Sequence, residues 1–216
     1  MRRRNSKTER LVVRRRVFLT GLVAALGIPP LSAGGHENVG LIEPPIAVPD
    51  VVVVSLDGTR GSLRDILRGR VTAIQLMFSR CTSICPIEAA TLARVQEALG
   101  DKASDMIQLL SLSIDPVTDT PDILKAWLER FGARQGWTAV SPTEADLPHV
   151  RAFFDHSSPL GEDHSTAVHV VNTKRMLVWR TQELPEPNGV AKLLLHLQST
   201  APASARKAGY IADFVD

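Results

Sequence analysis

Both cysteines of the chain fall in one stretch, Leu76-Met77-Phe78-Ser79-Arg80-Cys81-Thr82-Ser83-Ile84-Cys85-Pro86. An apolar run from Val71 to Phe78 leads into it, and Pro86 directly follows the second thiol. The pattern predicts a strand, a loop carrying two thiols, and a helix from Pro86 to Leu99. Proline suits the first helical turn, where its missing N–H would be unpaired anyway. The helix N-terminus carries partial positive charge, which favours thiolate over thiol at a cysteine placed there. A thiolate is both a nucleophile and a ligand for soft metals.

Taken alone, the pair admits several readings. Cysteine is often simply buried in a core. A structural disulfide here would close a very short loop and stabilise little through chain entropy. A structural zinc site takes four ligands, and two cysteines fall short of it. A redox pair and a two-thiolate metal site remain.

Residues 1–16 carry eight Arg/Lys and one Glu. An uncharged apolar run, Val17 to Ile28, follows, then Pro29, Pro30 and the small residues to Ala33. A basic region, a short apolar region and small residues make residues 1–33 an export signal. Arg15-Arg16-Val17-Phe18-Leu19 is similar to a twin-arginine signal, which a receptor reads. The apolar run is shorter than the ~20 residues of a spanning helix. The expected location is the periplasm or the outer face of the cytoplasmic membrane, with membrane association if the leader is not cut.

The leader also carries the basic charge. The chain is formally +2, residues 1–33 contribute +7, and the remainder is −5. The mature protein is mildly acidic, and nothing in it supports nucleic-acid binding, which needs a basic face. Export places the thiols in an oxidising compartment. There they are oxidised, kept reduced by a thiol-reductant partner, or covered by metal.

Residues 34–50, rich in Gly and Pro, read as an irregular lead-in. From 51 to 199 the chain reads as one domain, and 200–216 as a tail. Within the domain, strands are expected at Val51–Leu56, Val71–Met77, Ile107–Ile114, Trp137–Val140, Ala167–Val171 and Met176–Arg180. Helices are expected at Ser62–Arg68, Pro86–Leu99, Pro121–Phe131 with Thr120 as its cap, Leu147–Phe154 and Gly189–Ser199. Ile87, Ala90, Leu92, Val95 and Leu99 are the apolar residues expected to pack the thiol-bearing helix. Strands alternating with helices imply an α/β fold: a mixed, mainly parallel sheet covered on both faces.

Six histidines are present. His36 lies in the lead-in, His149 and His156 flank a predicted helix, and His196 sits in the last one. His164 lies in a polar loop, Gly161-Glu162-Asp163-His164-Ser165-Thr166, directly before a buried strand. Loops at strand ends are where sites are built in such folds. His169 lies within the strand and reads as a packed core residue.

Three segments together resemble the Sco/SenC copper chaperones, which have a thioredoxin-like fold. They are Cys81-x-x-x-Cys85-Pro86, then Leu110 to Pro116 with Asp119-Thr120-Pro121, and Asp163-His164-Ser165-Thr166. The resemblance spans about residues 43–199. It implies copper, as Cu(I) or Cu(II), bound by Cys81, Cys85 and His164. Cu(I) prefers soft thiolates and accepts an imidazole as a third ligand. The surroundings depart from the family pattern. Met77-Phe78-Ser79 stands where Gly-Tyr-Thr is usual, Thr82 replaces a proline, and Asn172-Thr173-Lys174-Arg175 replaces an Asp-Pro-x-Gly turn.

The resemblance thus implies an exported metallochaperone whose partner is a target cuproprotein. Classical members serve the dinuclear copper site of cytochrome c oxidase subunit II. Delivery by ligand exchange needs no turnover chemistry. The alternative is a thiol–disulfide oxidoreductase using Cys81 and Cys85 as a redox pair on a copper-site target. That reading leaves His164 without a role.

Overall fold

A computed structural model describes residues 39–102, 105–154 and 165–200. The expected export signal and the tail from residue 201 lie outside them. The chain enters through strand β1 (Gly40–Ala47), then β2 (Val52–Val54) and β3 (Arg60–Ser62). Ser62 caps the short helix α1 (Leu63–Ile66), its hydroxyl accepting the Arg64 N–H at 3.1 Å. Next come β4 (Val71–Met77), α2 (Cys85–Leu99), β5 (Ile107–Ser113) and α3 (Pro121–Arg130). Thr120 caps α3 and Pro121 opens it, since neither residue's backbone demands conflict with a helix start. The remainder is β6 (Trp137–Pro142), α4 (Leu147–Phe154), β7 (Ala167–Val171), β8 (Met176–Glu183) and α5 (Pro187–Thr200).

The strands form one sheet in the order β1-β8-β7-β4-β5-β6-β2-β3. Parallel pairing is confined to β4–β5 and β5–β6. The mainly parallel expectation therefore holds only for these three central strands. The β7–β8 hairpin and the outer strands add antiparallel pairs on both sides. All seven residues of β4 and of β5 are buried, as expected of strands covered on both faces.

Alternation along the strands divides the core into two layers. Val71, Ala73 and Met77 of β4 pack with Leu92 and Val95 of α2, Leu124 and Trp127 of α3, and Leu194 of α5. Ile74 and Leu76, one residue out of phase, face the other way, toward Leu63, Val150 and Phe154. Helices α2, α3 and α5 thus cover one face, and α1 and α4 the other.

Two expectations need correction. Residues 40–47 are a strand rather than an irregular lead-in, because the open edge of β8 supplies them with partners, Gly40 opposite Arg180 and Ala47 opposite Met176. The pairing slips between Leu41 and Ile46, where Pro44 and Pro45 sit. Proline in a sheet is confined to edge strands and bulges, and β1 is both. The second correction concerns α2. Its buried stripe is Cys85, Glu88, Ala89, Leu92, Val95, Gln96 and Leu99, whereas Ile87 and Ala90 point outward. A first-turn acid therefore occupies a core position.

Candidate metal centre

The loop that follows β4 is held before it reaches the thiols. Buried Asp119 accepts the Ser79 N–H at 3.1 Å and the Ser113 hydroxyl at 2.6 Å, and also the Ser79 hydroxyl. It ties the loop after β4 to the loop after β5, which leave the sheet at the same end because the two strands are parallel. Outside this, Arg80 bonds Asp115 at 2.7 Å, an exposed clamp across the same two loops. The loop then turns, with the Cys81 N–H donating to the Phe78 carbonyl at 3.1 Å.

Both cysteines are buried free thiols, Cys81 at the end of this turn and Cys85 as the first residue of α2. Ile84, at the N-cap position, makes no side-chain capping bond. Instead the Cys85 N–H donates to Cys81 Sγ at 3.3 Å. A sulfur thus accepts one of the helix's unpaired N–H groups, which would otherwise need a side-chain oxygen or water.

The two thiols differ in acidity. Burial pushes Cys81 up, but hydrogen bonds from the Cys85 side chain and N–H and from Ser83 outweigh it and hold it below the ordinary thiol value. Burial pushes Cys85 far up, and the bond to Cys81 and the charge of Glu88 push the same way. Cys81 is therefore the thiolate-prone sulfur and Cys85 the proton-retaining one.

Glu88 lies one turn into α2, buried, with neither carboxyl oxygen hydrogen-bonded. Burial first, then the charges of Cys81 and Glu183, raise its pKa to about 9. At neutral pH it is a neutral acid beside the sulfurs. Its place three residues after Cys85 puts it on the same helix face, a spacing that signals it in the sequence. Asp119 lies in a segment that carries the family resemblance, Asp119-Thr120-Pro121, though nothing there marks it as buried, and Glu183 carries no signal in the sequence.

Among the described residues no group of three or more His, Cys, Asp or Glu could hold a metal ion. The expected third ligand, His164, lies outside them, as do His36 and His156. His169 is fully buried in β7, edge-on to Phe154 at 5.4 Å. Phe154 belongs to the layer under α1 and α4, whereas both cysteines belong to the layer under α2, α3 and α5. His169 is thus a core residue on the opposite face, as its place in a strand predicts. His149 and His196 are exposed on α4 and α5.

Solved structures share this fold. Yeast Sco1 with copper bound superposes with a TM-score of 0.60 at 22% identity, covering 76% of this chain and 95% of that one. The Bradyrhizobium japonicum ScoI structure with copper bound gives 0.58 at 19%, covering 70% and 99%. A structure described as a disulfide switch in BsSco, of the Sco family of cytochrome c oxidase assembly proteins, gives 0.62 at 20%, covering 75% and 99%. In sequence, mitochondrial SCO2 of Saccharomyces cerevisiae is 42% identical over 65 residues, 30% of this chain and 22% of that protein. Mitochondrial SCO1 of the same yeast is 28% identical over 149 residues, 65% of this chain and 50% of that protein. The chain thus spans half or less of the length of these two relatives. The family model for SCO1/SenC matches residues 53–194, from β2 into α5 and across the whole thiol site, so the chain belongs to the SCO1/SenC family.

Proposed function

We propose that this protein is an exported copper carrier that holds its cargo at Cys81, Cys85 and His164 and passes it by ligand exchange to a target cuproprotein. The dinuclear copper site of cytochrome c oxidase subunit II is the proposed target. The observation that carries the reading is the pairing of the thiols at the head of α2, where the Cys85 N–H meets Cys81 Sγ. Two sulfurs joined by one turn of backbone form a compact soft donor set, which Cu(I) favours. In the metal-free protein Glu88 is held protonated by burial and by the charges of Cys81 and Glu183. When copper is bound it supplies the positive charge that keeps both sulfurs deprotonated. The chain's own part is to fix Cys81 through the Asp119 network and Cys85 through the helix. The copper-bound relatives support the same reading.

The test is copper stoichiometry of the reduced full-length protein, with Cu(I) competition against a soft chelator. One copper per chain is expected, lost in Cys81→Ser and Cys85→Ser. Full copper occupancy in both serine variants would sink the proposal.

The split acidity of the thiols favours a second activity at the same residues. A thiolate-prone Cys81 attacks a target disulfide, and its sulfur joins one target sulfur while the other leaves as a thiol. Cys85, once deprotonated, then displaces the target thiol and closes a Cys81–Cys85 disulfide. A thiol reductant returns both sulfurs to thiols. Reduced thiols are also the state that takes up Cu(I), so the reductase reading and the carrier reading share one reduced form.

A further inference from the structure

A row of buried polar side chains crosses the layer that holds the cysteines. Gln75 of β4 stands between Ala73 and Met77, two residues from each, and both belong to that layer, so alternation turns Gln75 the same way. Ser111 of β5 is its direct neighbour in the parallel register, and Leu109, two residues earlier, belongs to the same layer. Glu88 comes from the opposite side, on the buried stripe of α2 with Cys85 and Leu92. Gln75 lies two residues before β4 ends, about 7 Å down the strand. Glu88 lies three residues after Cys85 opens α2, about 5 Å down the helix. Strand and helix meet at the thiol loop, so the two side chains sit at similar depths beneath it. Gln75 is 1% exposed, Ser111 0% and Glu88 4%, which keeps bulk water from all three.

Their bonding is incomplete. Neither Oε1 nor Nε2 of Gln75 has a hydrogen-bond partner among the described residues, and neither carboxyl oxygen of Glu88 has one. Ser111 accepts the Trp137 indole N–H at 3.1 Å and keeps its own hydroxyl hydrogen to give. Buried polar groups left unmatched are costly, and proteins commonly satisfy them with an internal water that makes about three hydrogen bonds. Donors from Gln75 and Ser111 and acceptors from Gln75 and Glu88 supply those bonds. We propose that Gln75, Ser111 and Glu88 hold an internal water on the core side of the thiols. Glu88 is one helical turn from Cys85 and acts on it electrostatically, so the water belongs to the surroundings of that sulfur. It gives the fully buried Cys85 a polar neighbour within a layer otherwise built from Ala89, Leu92 and other apolar side chains. The inference does not depend on which cargo or partner the sulfurs serve.

The experiment uses the full-length, reduced, metal-free protein. Oxygen-17 relaxation dispersion counts long-lived internal waters in wild type, Glu88→Gln, Gln75→Leu and the double variant Gln75→Leu/Glu88→Leu. Gln75→Leu and the double variant should each hold one long-lived water fewer than wild type. Glu88→Gln, which keeps an acceptor, should hold the wild-type number. In wild type alone, the side-chain amide protons of Gln75 should show a rotating-frame Overhauser cross-peak to water. An equal count in wild type and the folded double variant would overturn the inference. A Gln75 amide that shows no cross-peak to water would overturn it as well, and that measurement needs no variant to fold. A cross-peak from Gln75 to Glu88 in place of water would mean a direct bond between the two side chains and would also sink the water site.

Discussion

At the scale of the residue, Glu88 is an acid in a core position. Its carboxyl is buried without a hydrogen-bond partner, which costs free energy unless the group stays neutral. A native pKa of about 9 against an ordinary 4.5 means that the folded state keeps a proton the unfolded chain has shed. Stability from this group is therefore full below pH 4.5 and declines as pH rises toward 9. For the metal-free reduced protein, Glu88→Gln should flatten that decline. It should raise the melting temperature by on the order of 5 °C at pH 8 and change it little at pH 4.5. Thermal melts of both proteins across this range check it, and a parallel pair of pH profiles would refute it. The sequence makes Glu88 legible only in part. Its helical spacing from Cys85 puts it on the inner face, but an acid in the first turn reads as an exposed partner of the helix dipole. The packing of α2 against α5 and the sheet overrides that preference. Cys81 and Cys85 were legible because no other residues carry sulfur chemistry of that kind. Glu183 was not, since its partners, Thr166 and Ser165, lie 17 and 18 residues away across a register slip.

At the scale of the element, β7 sorts the histidines. Successive residues of a strand point to opposite faces. Val168 and Val170 belong to the layer of the cysteines, and His169 between them turns away to meet Phe154. His169→Ala should therefore cost about 2 kcal/mol of stability by opening a cavity against Phe154, and leave copper stoichiometry at the wild-type value. Urea unfolding and metal analysis of the same sample test both halves. Loss of copper from a folded His169→Ala protein would contradict this assignment. Strand β4 and helices α2, α3 and α4 were legible almost to the residue, because long apolar runs, Thr-Pro and Cys-Pro starts and clear periodicity all point one way. Strand β1 was hidden for the opposite reason. Gly40, Pro44 and Pro45 disfavour a strand locally, and only the exposed edge of β8 makes one.

At the scale of the whole molecule, the charge is divided rather than spread. Residues 1–33 hold a formal +7 and the rest −5. We expect Arg15 and Arg16 to direct passage through the route for folded proteins, since a receptor reads the pair. Replacing both with Lys in the full chain, with a reporter fused after the last residue, should block export through that route. Continued export through the ordinary secretory channel would show that the leader is of the common kind.

The sulfur that begins α2 also makes the boundary of that helix a chemical variable. Most helices start where a serine, threonine or aspartate oxygen captures an N–H, and that capture is indifferent to redox state and to metals. Here the acceptor is Cys81 Sγ. Its electron density is shared between the helix and whatever else the sulfur binds. The amide proton of Cys85 is consequently a built-in gauge: its chemical shift and exchange rate report whether Cys81 is thiol, thiolate, disulfide or metal-bound. The state of that sulfur is thereby written into the backbone, at the first turn of α2.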